Sequence, residues 1–297
     1  MLCYKCSKPI AENEKTFSGL HEACFIEWFN LRELVDFSDV ISKSSSSNDL
    51  VPENHNSFFH GKFKKYSAVL NERNYILKVQ EQAFPELPAT EYLCNQLARH
   101  LGLKVPDFFL IRFQGTIETF VCENFMQNHT SSNLIHIYHF LEPSPDNFNC
   151  EVLLSTIANK TQRIEEIERF IELTLFDALI GNHDRHGRNL ALIESTNGFQ
   201  LSPFYDNPSY LGIETELLLS AHHEPRGQIY TAQSKEPKIR DYVKEWERLG
   251  QIATVNKFRE RIDINSLMKI IDASYISFNR KLSIKRLIER RYLELIS

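Results

Sequence analysis

Asp184 is followed five positions later by Asn189, and a second aspartate, Asp206, comes after a short apolar stretch. That layout suits phosphoryl transfer. The first carboxylate can hold or deprotonate an attacking hydroxyl. The asparagine and the second aspartate can carry the magnesium that neutralises phosphate charge. Three residues at one spacing also arise by chance, so a nucleotide site must show its other parts upstream.

Those parts are present. Lys78 ends the apolar run Tyr75-Ile76-Leu77, where an ammonium can reach the α- and β-phosphates, and Glu91 lies 13 residues on, in the expected first turn of the next helix. A strand lysine held by a helix glutamate is the pair that protein kinases use. Each is commonplace alone, since a glutamate near a helix N-terminus is favourable anyway. Their order with Asp184, Asn189 and Asp206 gives them weight. No G-x-G-x-x-G loop precedes Lys78. In its place stands Ser57-Phe58-Phe59-His60-Gly61-Lys62-Phe63-Lys64-Lys65, a basic stretch that suits either a phosphate-covering loop or a solvated hairpin.

A second constellation opens the chain. Cys3 and Cys6 form a C-x2-C, and His21 and Cys24 form an H-x2-C after a gap of 14 residues. Each pair can close on one ion, and together they make a tetrahedral set with no vacant position. The spacing therefore predicts a structural rather than a catalytic zinc. The plainer alternative is two terminal thiols beside an ordinary surface histidine. Cys94, Cys122 and Cys150 are scattered and read as buried thiols, not as a disulfide framework.

At 297 residues, with 42 % hydrophobic and 25 % charged residues, the chain can bury a large core in two lobes. A net charge of -5 and a pI near 6.1 argue against broad nucleic-acid or membrane-surface binding. No apolar run spans a bilayer and the N-terminus has no apolar signal core, so the chain reads as cytoplasmic; a signal for secretion into a host need not be apolar.

Apolar and charged residues alternate at helical spacing over 25–40, which predicts a helix, and Ser44-Ser45-Ser46-Ser47-Asn48 reads as a linker. Strands are expected at 66–70 and 75–79, then a helix capped by Thr90 and running to about residue 100, then strands near 108–112 and 119–122. Beyond about residue 128 the strand signal fades. Ile164, Ile167, Phe170, Ile171, Leu175 and Ala178 make a helical face, and 264–296 looks mostly helical. The expected architecture is α+β, bilobal and protein-kinase-like. A zinc-knuckle segment at 1–30 precedes a small β-rich N-lobe with its phosphate loop at 31–126 and a larger helical C-lobe at 127–297.

In these motifs the chain resembles the HipA-family Ser/Thr kinases, the toxin class of bacterial toxin–antitoxin modules. The resemblance runs from about residue 57 to about 211. It is carried by Ser57 with Gly61 and Lys65, Lys78, the helix that begins with Glu91, Val105-Pro106-Asp107, Glu123-Asn124-Phe125, the 184–189 loop and Leu201-Ser202-Pro203-Phe204-Tyr205-Asp206. It implies Asp184 as base or hydroxyl-orienting residue, with His186 in the same loop as a catalytic or loop-shaping residue. It further implies Asn189 and Asp206 on magnesium, Lys78 on the ATP phosphates, and the backbone of Glu123 and Phe125 at the adenine edge. Ser57 matches the serine whose autophosphorylation silences the kinase by rearranging the phosphate loop. That loop has one residue more between serine and glycine than the family pattern, and lacks its glutamine.

Full-length HipA opens with an additional N-terminal subdomain, and the chain fits the short HipT-like form better. The resemblance then implies three protein partners: a substrate, a small antitoxin that supplies the missing subdomain, and a helix-turn-helix DNA-binding antitoxin. Family substrates include aminoacyl-tRNA synthetases. A small-molecule kinase with the same Asp-x4-Asn spacing, and a partner-binding pseudokinase, are the alternative readings.

Overall fold

Glycine decides how the chain begins. Gly19 has φ +79°, and a Cβ there would stand 3.0 Å from the Arg112 side chain, so only glycine lets this turn lie so close. Around it run β1 (Thr16–Phe17) and β2 (Leu20–His21), followed by α1 (Glu22–Trp28). The computed structural model describes residues 1–43, 64–129, 131–221 and 224–297; Ser57 and Gly61 lie outside the described residues.

The helix expected over 25–40 ends at Trp28. Asn30 at φ +52° turns the chain, and 38–43 is a strand, β3 (Ser38–Lys43). Aromatic packing overrides the helical spacing here. Phe29 stacks on Phe109 at 4.2 Å, and Phe37 meets Tyr75 at 5.9 Å.

β4 (Lys64–Leu70) and β5 (Arg73–Val79) are joined by Asn71 and Glu72, both at positive φ, as a two-residue hairpin turn requires. Then comes α2 (Leu87–His100), with a proline in its first turn, where the missing N–H costs nothing. It starts three residues before Thr90, so Thr90 lies inside the helix rather than capping it, and Glu91 sits beyond the first turn. β6 (Phe108–Phe113) and β7 (Ile117–Glu123) complete an antiparallel sheet in the order β3-β4-β5-β7-β6. Lys65, Lys78, Phe120 and Leu110 are cross-strand neighbours, so they share one face, which carries the site.

The second lobe is built on two helices and a small sheet. Strand structure does not end at residue 128: β8 (Asn133–His136), β9 (Ala191–Ser195) and β10 (Gly198–Leu201) form a three-stranded antiparallel sheet, with α3 (Cys150–Thr161) and α4 (Ile164–Ile180) between β8 and β9. The sequence reading missed these strands because they are short. α4 is buried on nearly every side, with Phe170, Ile171, Leu173, Leu175, Phe176 and Leu179 inaccessible, as in a helix at the centre of a core. α5 (Ile239–Arg248), α6 (Ile252–Glu260), α7 (Ile264–Ala273) and α8 (Phe278–Ile296) pack around it, so 264–296 is two helices. Among the described residues no helix is long and apolar enough to cross a membrane.

Candidate active site

The 182–189 loop, which carries Asp184 and Asn189, starts where α4 stops. Gly181 ends that helix at φ +71°, and a Cβ there would lie 2.8 Å from Leu287 and 2.9 Å from Pro225. The chain then turns sharply through 182–189. Asp177, on the last turn of α4, is buried in the largely apolar stretch 173–180 and organises the loop. It accepts from Asn182 Nδ2 at 2.9 Å and pairs with Arg185, Nε to Oδ2 at 2.7 Å and Nη2 to Oδ1 at 3.0 Å. Arg185 also reaches Asn207 Oδ1 (2.6 Å), Asn189 O (2.9 Å) and Tyr205 O (2.7 Å), so all five guanidinium N–H groups are used. Burial alone would depress the Arg185 pKa, but Asp177 outweighs it and the net shift is upward.

This scaffold fixes the residues of the loop. Asn182 Oδ1 accepts from the Asp184 N–H at 3.0 Å, and Asn189 Nδ2 donates to Asp184 O at 2.9 Å. With its nitrogen so engaged, the Asn189 amide offers its oxygen as the free end for a hard cation. His186 Nδ1 accepts from the Arg188 N–H at 3.2 Å, a bond that shapes the loop.

On the N-lobe side, Lys78 of β5 bonds to both Glu91 and Asp206. Lys78 and Glu91 side chains are only 5 % and 1 % exposed, whereas Asp206 keeps 21 %. Asp206 sits at φ +53°, a left-handed conformation that aspartate tolerates better than most side chains. Its Oδ2 lies 3.6 Å from Lys65 Nζ. Burial opposes ionisation of Asp206, yet Lys65, Lys78 and Arg185 outweigh it and hold the carboxyl well below the usual range. Burial pushes Glu91 up despite Lys78, and its Oε2 has no hydrogen-bond partner among the described residues. The Asp206 carboxylate and the Asn189 amide oxygen are hard donors of the kind magnesium takes, and Lys78 and Lys65, both against Asp206, are cations of the kind phosphates take, so the residue types fit magnesium and a nucleotide.

Glu123 closes β7, and its N–H is committed to Asp107 O at 2.8 Å, so that amide is unavailable to a base. Phe125 opens a short 3₁₀ turn, with its ring 5.9 Å from Tyr205 beside Asp206. Lys65, Lys78, Glu91 and Asp206 thus form one bonded cluster, and the 184–189 loop joins it through Asn182, which accepts from the Asp184 N–H and lies 3.4 Å from Asp206 O.

Sequence reading assigned no role to Asp177, Asn182, Arg185, Asn207 or Asn95. Asn207 Nδ2 donates to Asn95 Oδ1 at 3.0 Å, and Asn95 Nδ2 donates to Glu91 O at 2.8 Å, which links α2 to the catalytic loop. A lone carboxylate in the apolar row of α4 was the one available signal.

The N-terminal cluster also assembles. The ligand atoms of Cys3, Cys6, His21 and Cys24 all lie within 4.8 Å of one another, with His21 Nδ1 3.5 Å from Cys6 Sγ and 3.6 Å from Cys24 Sγ. The other ring nitrogen of His21 is 3.4 Å from Pro9 O, the outer contact that orients a metal-binding imidazole. Burial would raise the Cys3 thiol, but amides of Cys6, His21 and Lys5 bring it down to about 6. Burial and the neighbouring Cys6 and Cys3 push Cys24 up to about 12. A dication among them would relieve that conflict.

A profile of the HipA-like C-terminal domain matches residues 57–282. Serine/threonine-protein kinase CtkA of Helicobacter pylori is 24 % identical over 241 residues, covering 70 % of this chain and 72 % of that protein. The crystal structure of the Helicobacter pylori proinflammatory kinase CtkA superposes with a TM-score of 0.64 at 20 % identity, over 77 % of this chain and 90 % of the other. HipA of Shewanella oneidensis, solved with HipB and operator DNA, gives 0.52 at 15 % identity, over 74 % and 57 %. These superpositions establish a protein-kinase-like fold, and since the profile spans well over half of the sequence, the chain belongs to the HipA-like C-terminal domain family.

Proposed function

We propose that this chain is an ATP- and magnesium-dependent protein kinase that phosphorylates serine or threonine. The observation that carries this reading is Lys78 bonded to both Glu91 and Asp206, with Asn182 joining the backbones of Asp206 and Asp184. Magnesium held by Asn189 and Asp206 would neutralise phosphate charge. Lys78, steadied by Glu91, would bind and orient the phosphates, with Lys65 as a second cation. Asp184, its backbone fixed on both sides, would align the incoming hydroxyl and accept its proton at the carboxylate. Catalysis here comes from positioning and charge neutralisation. The Glu123–Phe125 segment would hold the adenine, and His186 would keep the loop in shape.

The likeness to HipA, solved with HipB and operator DNA, supports a toxin role with antitoxin partners for this chain. Ser57 is the proposed site of silencing autophosphorylation. The Cys3, Cys6, His21 and Cys24 cluster is proposed to hold a structural zinc ion, on the strength of its closed geometry.

The test is intact mass and phosphopeptide mapping after incubation with ATP and magnesium, wild type beside Asp184→Asn. Phosphate on Ser57 or on lysate proteins in the wild type alone is the expected result. Absence of both, with no ATP binding by calorimetry, would replace this reading with a partner-binding pseudokinase.

A further inference from the structure

The two halves of the cysteine–histidine cluster belong to segments that grip different parts of the molecule. Cys3 and Cys6 lie in a tight turn whose carbonyls reach the connection between α7 and α8. Tyr275 Oη donates to Tyr4 O at 2.9 Å, lies 3.3 Å from Cys3 O, and shares a hydrogen bond with Ser7 Oγ at 3.0 Å. The rings of Tyr4 and Tyr275 meet edge-on at 4.8 Å. His21 and Cys24 lie on β2 and α1, which rest on the N-lobe sheet. Here the Arg112 N–H donates to Ser18 O at 2.8 Å, and Trp28 packs 5.5 Å from Phe109.

Both segments converge on one residue of α2. Tyr92 lies 6.2 Å from Trp28 and 6.4 Å from Tyr275, ring centre to ring centre. Tyr92 is the next residue after Glu91, the partner of Lys78. The same corner is tied again where Glu86, just before α2, accepts from the Ser277 N–H at 2.6 Å.

We propose that a zinc ion in this cluster acts as a clasp that positions α2, and so Glu91 against Lys78, making zinc occupancy and nucleotide binding energetically coupled. The inference rests on the zinc and kinase readings above. Without the ion, the 3–7 turn keeps the bond from Tyr4 Oη to Glu118 Oε2 at 2.7 Å and the Lys5–Glu27 ion pair, but it loses its tie to His21 and Cys24, and small metal-closed loops draw much of their order from the metal. Loosening that turn releases Tyr275 and one support of Tyr92. A helix with more freedom must be re-ordered when nucleotide binds, which weakens binding. Linkage makes the effect reciprocal, so nucleotide must tighten the hold on zinc by the same factor. Tyr275 is a positioning residue here and touches no reacting group.

The experiment begins with metal content by mass spectrometry, and one zinc per chain is expected. Hydrogen exchange of α2 is then compared, with α4 as internal control, in three samples: zinc-loaded protein, chelator-treated protein, and zinc-loaded Tyr275→Phe. Faster exchange in α2 but not α4 for the last two supports the clasp. Zinc transfer to a chromogenic chelator is finally followed with and without a non-hydrolysable ATP analogue and magnesium, where about a fivefold or larger gain in zinc affinity is expected. Zinc bound with no change in α2 exchange on its removal overturns the clasp and leaves the metal reading intact. No zinc bound overturns both. A response of α2 to zinc, with no analogue bound by calorimetry, supports the clasp and sinks the kinase reading instead.

Discussion

Arg185 is locked to Asp177 by two parallel bonds, Nε to Oδ2 at 2.7 Å and Nη2 to Oδ1 at 3.0 Å. The pair is buried, and its remaining donors hold Asn207 Oδ1 and the backbone carbonyls of Asn189 and Tyr205, one residue from Asp206. One cation thus sets the spacing between the two loops that bear the proposed magnesium ligands. Arg185→Met should leave Asp177 charged, buried and unpaired, and lower stability by about 3–5 kcal/mol. Denaturant unfolding measures this; a loss below about 1 kcal/mol would show that the loops are held by other means.

Asp184, in its proposed role, should bear on activity rather than stability. Its N–H and carbonyl are the atoms that Asn182 and Asn189 engage, and asparagine preserves both. Asp184→Asn is expected to cut the phosphoryl-transfer rate by roughly a hundred- to ten-thousandfold while the melting temperature stays close to wild type. Steady-state kinetics beside calorimetric melting decides it, and near-normal turnover would remove Asp184 from the mechanism.

Gly181 is the hinge of the loop. Alanine there would have to hold φ +71° and place its Cβ against Leu287 and Pro225. The left-handed strain alone costs about 1–2 kcal/mol, and the clash adds to it. A Gly181→Ala protein as stable as wild type in urea would mean that α8 can shift to make room.

His183 predicts a pH dependence of stability. Burial lowers its pKa from 6.5 to about 4, so the folded state prefers the neutral ring. The unfolded chain binds the proton first as pH falls. The stabilising contribution is therefore complete above pH 6.5 and is lost as pH drops toward about 4, at up to about 1.4 kcal/mol per pH unit. Replacing His183 with glutamine should flatten this part of the profile, and an unchanged slope in the variant would assign the effect elsewhere.

Much of the proposed site could be read from residue order. Lys78, Glu91, Asp184, Asn189 and Asp206 suggested phosphoryl transfer because that chemistry needs those side-chain types in that order, and the cysteine spacing pointed to one closed cluster. The supports were not. Asp177 sits in the largely apolar stretch that ends α4, where sequence gives no hint of its partners, and Asn95 and Asn207 meet across 112 residues. Helical spacing over 25–40 misled because it reports an isolated segment, whereas Phe29 and Phe37 are drawn onto the sheet by Tyr75 and Phe109.

By itself the sequence determined which chemistry the chain can carry and the alternating pattern that makes its first sheet, because residue type and local period are properties of short stretches. Only the tertiary structure decided that Lys78 meets Asp206 from 128 residues away, that Arg185 spends all its donors on Asp177 of α4 and on the two loops beyond it, and that Tyr275 near the far end reaches the cysteine turn at the start. Those contacts follow from how whole faces bury against each other, and burial is a property of the assembled core, not of any one segment.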